Sequence, residues 1–173
     1  MRSVLIGLAL LVCALPARAQ TADEYLCMSG DLDGKIQGCT GVIESVAETR
    51  KAHSVAYSNR GTAYAAKGLY DRAIADLTEA IKLAPDDADA YNGRAWAYHL
   101  QHQDAKGIAD AEKAVTLAPE DADSIETRAE IYERLGRRAE AVADYRSVLK
   151  RTSAGSQAGL DARQGLKRLG ATT

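Results

Sequence analysis

Three consecutive stretches of 34 residues decide the fold, because they align with one another without a gap. They read SVAYSNRGTAYAAKGLYDRAIADLTEAIKLAPDD (54–87), ADAYNGRAWAYHLQHQDAKGIADAEKAVTLAPED (88–121) and ADSIETRAEIYERLGRRAEAVADYRSVLKRTSAG (122–155). Tyr64, Tyr98 and Tyr132 recur at the same place in each stretch, and Pro85 and Pro119 stand near the ends of the first two. A fixed period of this length with helical patterning is typical of repeat architectures.

Each stretch predicts two helices joined by a tight turn. In the first helix a large residue, a small residue and a tyrosine share one face, as Tyr57, Gly61 and Tyr64 do. The second helix carries small or apolar residues at matching heights, which lets the two helices approach closely. Gly68 and Gly136 stand where the first helix must stop, and a proline ends the second helix.

The recurring small, tyrosine and proline positions resemble the tetratricopeptide repeat (TPR) family over residues 54–155. The resemblance implies an all-α fold, a right-handed α-solenoid of antiparallel helix pairs whose concave groove binds peptides or other proteins. The departures are mild: Ala95 and Ala129 replace a usual glycine, His102 replaces the turn glycine, and Ser153 replaces the last proline. We therefore expect three TPR motifs, over residues 54–87, 88–121 and 122–155.

Both flanks of the repeats are predicted to be end caps, since terminal repeats otherwise expose apolar faces. The segment LDGKIQGCTGVIESVA (32–47) matches YDRAIADLTEAIKLAP (70–85), which makes it the second helix of a shortened repeat within residues 20–53. At the other end, residues 157–169 predict a capping helix within residues 156–173. Its apolar stripe consists of Ala162, Leu166 and Leu169.

Residues 1–19 are predicted to be a signal peptide. The apolar run VLIGLALLVCAL (4–15) is followed by Ala17 and Ala19, the small residues that a signal peptidase reads. As a helix the run reaches about 18 Å, which is short of the bilayer core of about 30 Å. We therefore expect cleavage after Ala19, no membrane span, and a periplasmic or secreted protein. A lipoprotein anchored at Cys13 is disfavoured because Val12 stands where a small residue is wanted.

The charge balance argues against nucleic acid as a partner. Removal of residues 1–19 takes away Arg2 and Arg18 and leaves 20 Lys and Arg against 24 Asp and Glu, a net charge near −4. Nucleic acid and anionic membrane surfaces both require a basic face.

Cys27 and Cys39 are the cysteines that remain after export, and they are expected to form a structural disulfide. The bond would pin the shortened first helix of the N-terminal cap onto the second. Two free buried thiols, or half of a metal site with His53, are the alternatives, although the spacing matches no common zinc pattern.

An arginine and an aspartate stand 16 positions apart in each repeat. In a hairpin that turns near Gly68, positions equally far before and after the turn face each other. The sequence therefore predicts a ladder of ion pairs that holds the helices in register, with a cationic track for acidic peptides as the alternative. The pairs are Arg60–Asp76, Arg94–Asp110 and Arg128–Asp144.

The concave groove is the expected working surface. Trp96 is the only tryptophan and an expected binding residue, with packing between repeats as the alternative. Three glutamates share one helical face, which we expect to be solvated; the alternative is that this face selects a basic partner. The predicted lining residues are Ser58, Thr62, Asn92, Trp96, His99, Glu126, Glu130 and Glu133.

No catalytic, metal or cofactor site is predicted. His53, His99 and His102 are expected at the surface, since no third metal ligand is evident. Glu130 and Glu133 are not expected to act as paired acids, because an open groove offers no closed pocket that shifts their pKa values. No phosphate-binding loop or nucleophile motif is present, and the scarcity of aromatic residues argues against a large cofactor pocket.

These observations predict a non-enzymatic module that holds an unknown protein or peptide partner in its groove. The alternative is a structural component associated with the cell envelope that binds a polymer such as peptidoglycan or polysaccharide. Both expectations come from the family resemblance, because a fold of this kind serves many tasks.

Overall fold

The computed structural model describes residues 21–153 and 155–172, and these form nine α-helices and no β-strand. The predicted signal peptide lies outside the described residues. The prediction of an all-α solenoid is confirmed. The helices are α1 (Ala22–Ser29), α2 (Leu32–Glu44), α3 (Arg50–Ala66), α4 (Tyr70–Leu83), α5 (Ala88–Leu100), α6 (Asp104–Leu117), α7 (Ala122–Arg134), α8 (Arg138–Arg151) and α9 (Gln157–Arg168).

The helices stack in order, each packed against the one before it. The odd-numbered helices also contact one another, α3 with α5, α5 with α7 and α7 with α9, whereas the even-numbered helices of the described chain do not. A stack whose odd helices converge and whose even helices separate is curved. Its inner, concave side is therefore lined by α3, α5, α7 and α9.

The turns between paired helices follow the sequence prediction. Gly68 and Gly136 adopt φ values of 75° and 74°, and His102 occupies the same position with φ 58°. This left-handed conformation is uncommon for a residue with a Cβ, so the histidine tolerates a position that glycine fills in the neighbouring repeats. Asp87 and Asp121 cap the helices that begin the next repeats, each accepting hydrogen bonds from backbone N–H groups.

Small residues let consecutive repeats close around the fully buried Leu77. A Cβ on Gly61 would lie 2.7 Å from Leu77 Cγ, and one on Gly93 would lie 2.9 Å from Leu77 Cδ2. Leu77 therefore fills the space that glycines of two successive first helices leave open. This contact joins the first repeat to the second.

The N-terminal cap is a short helix held against a glycine-rich one. Cys27 of α1 and Cys39 of α2 form a disulfide, with their Cα atoms 4.5 Å apart. A Cβ on Gly38 would lie 2.6 Å from the Cys27 nitrogen, so this glycine allows the close approach of α1. The bond leaves neither cysteine as a free thiol or a ligand for a metal site with His53.

The C-terminal cap, α9, buries Ala162 and Leu166 completely against a cluster that includes Tyr145 and Val148. Leu169 packs at the edge of the same cluster. Each of the three residues of the predicted apolar stripe thus contacts the last repeat. Among residues 21–153 and 155–172, no helix has the length and apolar character needed to cross a bilayer.

The first repeat starts earlier in the structure than a boundary at residue 54 suggests. Thr49 caps α3, which begins at Arg50 and runs through that boundary without interruption. The helix is 17 residues long, one turn longer than the first helices of the next two repeats.

Candidate functional site

The concave side holds a hollow of about 300 Å³ between α5, α7 and α9, called here the groove hollow. Helix α5 supplies an aromatic and an amide side chain, whereas α7 and α9 supply mostly carboxylates. The hollow is therefore apolar on one wall and acidic on the other. Its lining residues are Asn92, Trp96, Asp123, Glu126, Thr127, Glu130 and Asp161.

Trp96 packs between the repeats and also lines the groove hollow. Part of the side chain packs against the core cluster that contains Leu77 and Ala97. The ring also stacks on His99, with centroids 5.6 Å apart and planes inclined by 22°, and it lines the groove hollow. The indole is thus held rigidly while it still forms part of the groove surface.

Asn92 stands one turn before Trp96 on the same wall of the hollow. Its Oδ1 atom is buried and has no hydrogen-bond partner among the described residues. Buried acceptors in folded proteins are nearly always paired, so this atom is an exception. It is an acceptor to which a bound molecule can donate.

Glu126 is a carboxylate without a counter-ion, since it has no ion pair or side-chain hydrogen bond in the described part of the chain. Burial raises the pKa of Glu126 to about 7, and the neighbouring charges of Glu130, Asp161 and Asp123 act in the same direction. The sequence prediction that an open groove shifts no pKa was made for Glu130 and Glu133, and it is wrong for both: burial raises the pKa of Glu130, and hydrogen bonds from Arg168 lower that of Glu133.

Glu130 is in a similar position. Burial raises the pKa of Glu130, although Arg168 acts in the opposite direction. Its carboxylate lies 3.7 Å from His99 Nε2. Glu126 and Glu130 are both partly buried, so the expectation of a fully solvated glutamate face is also wrong.

The negative charge continues from the groove hollow to the start of α5. Burial raises the pKa of Asp89, and the charges of Asp87, Asp121 and Asp123 raise it further. Because Asp123 also lines the groove hollow, the acidic surface runs along the N-terminal ends of α5 and α7.

His99 is not a surface residue, contrary to the expectation from sequence, since it is only 6% exposed. Arg134 Nη2 lies 2.9 Å from His99 Nε2, and a guanidinium can only donate, so Nε2 is the acceptor. The proton therefore sits on Nδ1, 2.6 Å from Asp104 Oδ1. Burial lowers the pKa of His99 although Asp104 opposes this, and the ring is a neutral, fixed support for Trp96. His53 is half-buried, and His102 alone of the histidines is exposed.

Glu133 belongs to a closed ion-pair network instead of to the acidic wall. Arg168 donates to both of its carboxylate oxygens, at 2.7 and 2.8 Å, and Tyr145 donates its hydroxyl at 2.6 Å. The Arg168 hydrogen bonds lower the pKa of Glu133. This network lines a second concave hollow of about 530 Å³, next to His99 and Arg134.

Ser58 and Thr62 are not brought together with Trp96. Ser58 is buried, whereas Thr62 is exposed and lines a separate hollow near Lys35 and Asn59. Asn92, Trp96, Glu126 and Glu130 thus line the groove hollow, whereas the two predicted α3 residues lie apart from it.

The structure brings the three arginine–aspartate pairs together with the same geometry. Each arginine donates from Nε and Nη2 to both oxygens of its aspartate, over distances of 2.7 to 2.9 Å. Each guanidinium is thus committed to an internal partner, and the aspartates are buried. This arrangement favours the register-holding role over a cationic track for acidic peptides.

Sequence reasoning missed Asp161 because α9 was interpreted only as a cap. A signal was available: Asp161 stands 34 residues after Thr127, so one more step of the repeat register places it on the groove. The arginines carry the same signal: Arg134 and Arg168 stand 34 residues apart, and so do His99 and Glu133, the residues to which they donate. The contact of Arg134 with Asp104 has no counterpart one repeat later, because Arg138 stands at the position that corresponds to Asp104.

The comparisons with known proteins agree with the repeat architecture. Models described as tetratricopeptide repeat match residues 54–87, 77–109 and 122–154, which together make up just over half of the chain. The second match spans the end of the first repeat and the start of the next, as adjoining units of one solenoid allow. Comparison of the sequence with curated proteins gives no match.

Solved structures of the same fold include the TPR domain of Arabidopsis OM64, at 26% identity and a TM-score of 0.64, covering 70% of this chain and 97% of that one. MamA is similar over 88% of this chain and 87% of its own, at 19% identity and a TM-score of 0.68. The first TPR of Spaghetti (RPAP3), bound to the HSP90 peptide SRMEEVD, is 23% identical with a TM-score of 0.63, over 73% of this chain and 100% of that one. The repeat matches, the helix stack and the regular 34-residue spacing of its turns together show that this chain belongs to the tetratricopeptide repeat family.

Proposed function

We propose that this protein is a non-enzymatic interaction module that binds an extended segment of a partner protein in the groove hollow. The observation that carries the proposal is the groove hollow itself, where a rigidly held tryptophan faces polar groups that have no partner among residues 21–153 and 155–172. Tryptophan is among the residue types that are enriched at binding hot spots, which lie in pockets shielded from water.

The polar groups on both walls of the groove hollow favour a peptide over a purely apolar ligand. Asn92 Oδ1 offers an acceptor, and Glu126 offers a carboxylate, and neither is used by another described residue. An extended peptide supplies backbone N–H donors and side chains to both walls at once. Structural neighbours in this family were solved with peptides bound, among them SRMEEVD and SGPTIEEVD.

Catalysis is not part of the proposed role. The one histidine in contact with the groove, His99, is tied to Asp104 and Arg134 and carries its proton away from the groove. Thr127, the hydroxyl residue of the groove hollow, donates to the Asp123 backbone carbonyl and not toward a base.

We also propose that the protein works outside the cytoplasm, in the periplasm or as a secreted protein. The signal-like pattern of residues 1–19 supports this proposal, and the Cys27–Cys39 disulfide is the kind of bond that persists in oxidising compartments. The mature chain would then begin at Gln20.

A selection from a library of random octapeptides tests the groove assignment, with binding followed by the fluorescence of Trp96, the only tryptophan. We expect peptides that bind the wild-type protein and lose about tenfold or more in affinity for Trp96→Ala. Asn92→Ala provides a second groove variant that removes only a small, unpaired amide, and Tyr70→Ala on α4 is the aromatic control outside the groove hollow. Labelled peptides replace the fluorescence readout for Trp96→Ala.

Peptides that bind Trp96→Ala and Asn92→Ala as tightly as the wild type would remove the groove assignment, provided that circular dichroism shows the variants folded. Failure to select any peptide, combined with retention on washed cell-wall material, would favour the polymer-binding alternative.

A further inference from the structure

The uncompensated acidic wall points to the chemistry of the partner, and this inference rests on the proposed function. We infer that the bound segment is basic: an extended peptide whose lysine or arginine side chains contact Glu126, Glu130 and Asp161 while its backbone crosses the groove hollow beside Trp96.

The carboxylates of the wall lack internal cations. Glu126 has no described partner, and Asp161 accepts one hydrogen bond, from the uncharged amide of Gln157 at 2.8 Å. The Glu130 carboxylate lies 3.7 Å from His99 Nε2, a nitrogen that carries no proton. Negative charge therefore collects between α7 and α9, and Arg168 and Arg134 compensate it only in part, at Glu130.

The arginines nearest to this wall are already occupied. Arg168 is bound to Glu133 through both carboxylate oxygens. Arg134 lies 3.3 Å from Asp104 and donates to the His99 carbonyl oxygen at 2.6 Å. Because these arginines are bound to other partners, a positively charged ligand can pair with the carboxylates of the acidic wall.

The spacing of the carboxylates fits a peptide better than a single metal ion. No three His, Cys, Asp or Glu side chains of the described residues are placed to share one metal ion. Successive positions on one face of α7 are about 5–6 Å apart, close to the spacing of about 7 Å between alternate side chains of an extended chain. Helices α5, α7 and α9 lie about 8–10 Å apart, so roughly six residues cross the groove.

The opposite wall complements such a segment. The Trp96 ring offers an apolar and π-rich surface for the methylene stem or the charged end of a lysine or arginine. The buried Oδ1 of Asn92 lacks a donor, and a peptide N–H would supply one. The groove hollow therefore combines charge, apolar and hydrogen-bonding features that one basic peptide satisfies together.

The inference separates this protein from neighbours of the same fold. The peptides in the Spaghetti (RPAP3) and human RPAP3 structures are acidic at their ends, with the sequences SRMEEVD and SGPTIEEVD. A glutamate placed against Glu126 would meet like charge, which suppresses binding of the wrong partner. Acidic tails of that kind are expected to be rejected here.

The test uses a terminally blocked octapeptide of alternating lysine and serine, with matched peptides that carry glutamine or glutamate in place of lysine. Titration followed by Trp96 fluorescence should show saturable binding of the lysine peptide, and at least about tenfold weaker binding of the other two. Binding should weaken as NaCl is raised from about 0.05 M to about 0.5 M, since added salt screens the charges.

Variants of the wall identify where the peptide lies. Glu126→Gln and Asp161→Asn should each weaken lysine-peptide binding by about fivefold, whereas Glu44→Gln on the exposed surface of α2 should not change it. The charge reversal Glu126→Lys should go further and reverse the preference toward the glutamate peptide. Circular dichroism checks that each variant is folded.

Equal binding of the lysine and glutamine peptides, or equal effects of Glu126→Gln and Glu44→Gln, would overturn the inference. Spermine or Mg²⁺ that displaces the lysine peptide at an equal charge concentration would also overturn it, because the wall would then hold any cation. The two proposals fail differently: neutral or acidic octapeptides whose binding depends on Trp96 would refute a basic partner and leave the interaction module standing.

Discussion

At the scale of single residues, Glu126 shows how a binding surface differs from a core. Placing a carboxylate between Glu130 and Asp161, partly out of water, raises the free energy of the folded state. By contrast, the same chain pairs Glu133 with Arg168 and each buried aspartate of the ladder with an arginine. A group that destabilises the free protein is the kind that a bound partner relieves.

Glu126→Gln should therefore raise the free energy of unfolding at pH 8, by about 1 kcal/mol once solvent screening is allowed for. The folded-state pKa of about 7 lies above the ordinary value of 4.5, so the folded protein binds more protons between these values. Stability is lost as pH rises through that window, and the advantage of the glutamine variant should shrink toward pH 5.

Urea unfolding of the wild type and Glu126→Gln at several pH values measures this difference. Glu44→Gln serves as the matched control, because the substitution removes the same charge from an exposed position on α2. A gain in stability that is the same at pH 5 and pH 8 would show that repulsion in the groove is not its source.

At the scale of elements, α9 has two tasks. It closes the apolar end of the stack with Ala162 and Leu166, and it carries Asp161 and Arg168 into the concave side. The same helix therefore stabilises the last repeat and completes the acidic wall. Loss of its docking should affect stability and binding together.

Gly165→Ala tests this dependence on α9. A Cβ at Gly165 would fall on the ring of Tyr145, which is fully buried and has no room to move aside. Overpacking of this kind should lower the free energy of unfolding by about 2 kcal/mol and weaken binding of the lysine octapeptide. Denaturant unfolding measures the loss of stability, and limited proteolysis after residue 155 reports on the undocking of α9. Titration with the lysine octapeptide measures the loss of binding.

Gly155→Ala is the control, since a Cβ there meets no atom within 4 Å. Equal stability of the two alanine variants would show that α9 does not depend on contact between Gly165 and Tyr145.

At the scale of the whole molecule, the arginine ladder ties neighbouring units to one another. Arg60 and Arg94 each use a third nitrogen, Nη1, to donate to a threonine of the preceding unit, Thr40 at 3.0 Å and Thr78 at 3.1 Å. One guanidinium thus joins both helices of its own repeat to the helix before them. In a solenoid each unit contacts only its neighbours, so links of this kind stabilise the stacking of one unit on the next.

A double-mutant cycle on Arg94 and Asp110 should give a coupling free energy of about 1–3 kcal/mol, because the pair is bidentate and largely shielded from water. The variants are Arg94→Met, Asp110→Asn and their combination, followed by urea unfolding. The exposed pair Lys82–Glu79 provides a reference cycle, in which about 0.5 kcal/mol or less is expected. Coupling no larger than in this reference would contradict the structural role of the ladder.

The sequence by itself determined the helix pairs, their turns and the pairing along the ladder. These features depend on contacts that repeat every 34 residues. The period therefore identifies the turn residues Gly68, His102 and Gly136, and the ion pair of Arg94 with Asp110, from the sequence alone. The small residues that allow close helix packing follow the same period, whereas the capping helix was predicted from its own apolar stripe.

Only the tertiary structure decided the character of the groove. Burial of His99 follows from its contacts with Asp104 and Arg134, whereas the raised pKa of Glu126 and the ion pair of Glu133 with Arg168 depend on the packing of α9 against α7. The electrostatic state of a side chain follows from the atoms that surround it, and these come from helices distant in the sequence.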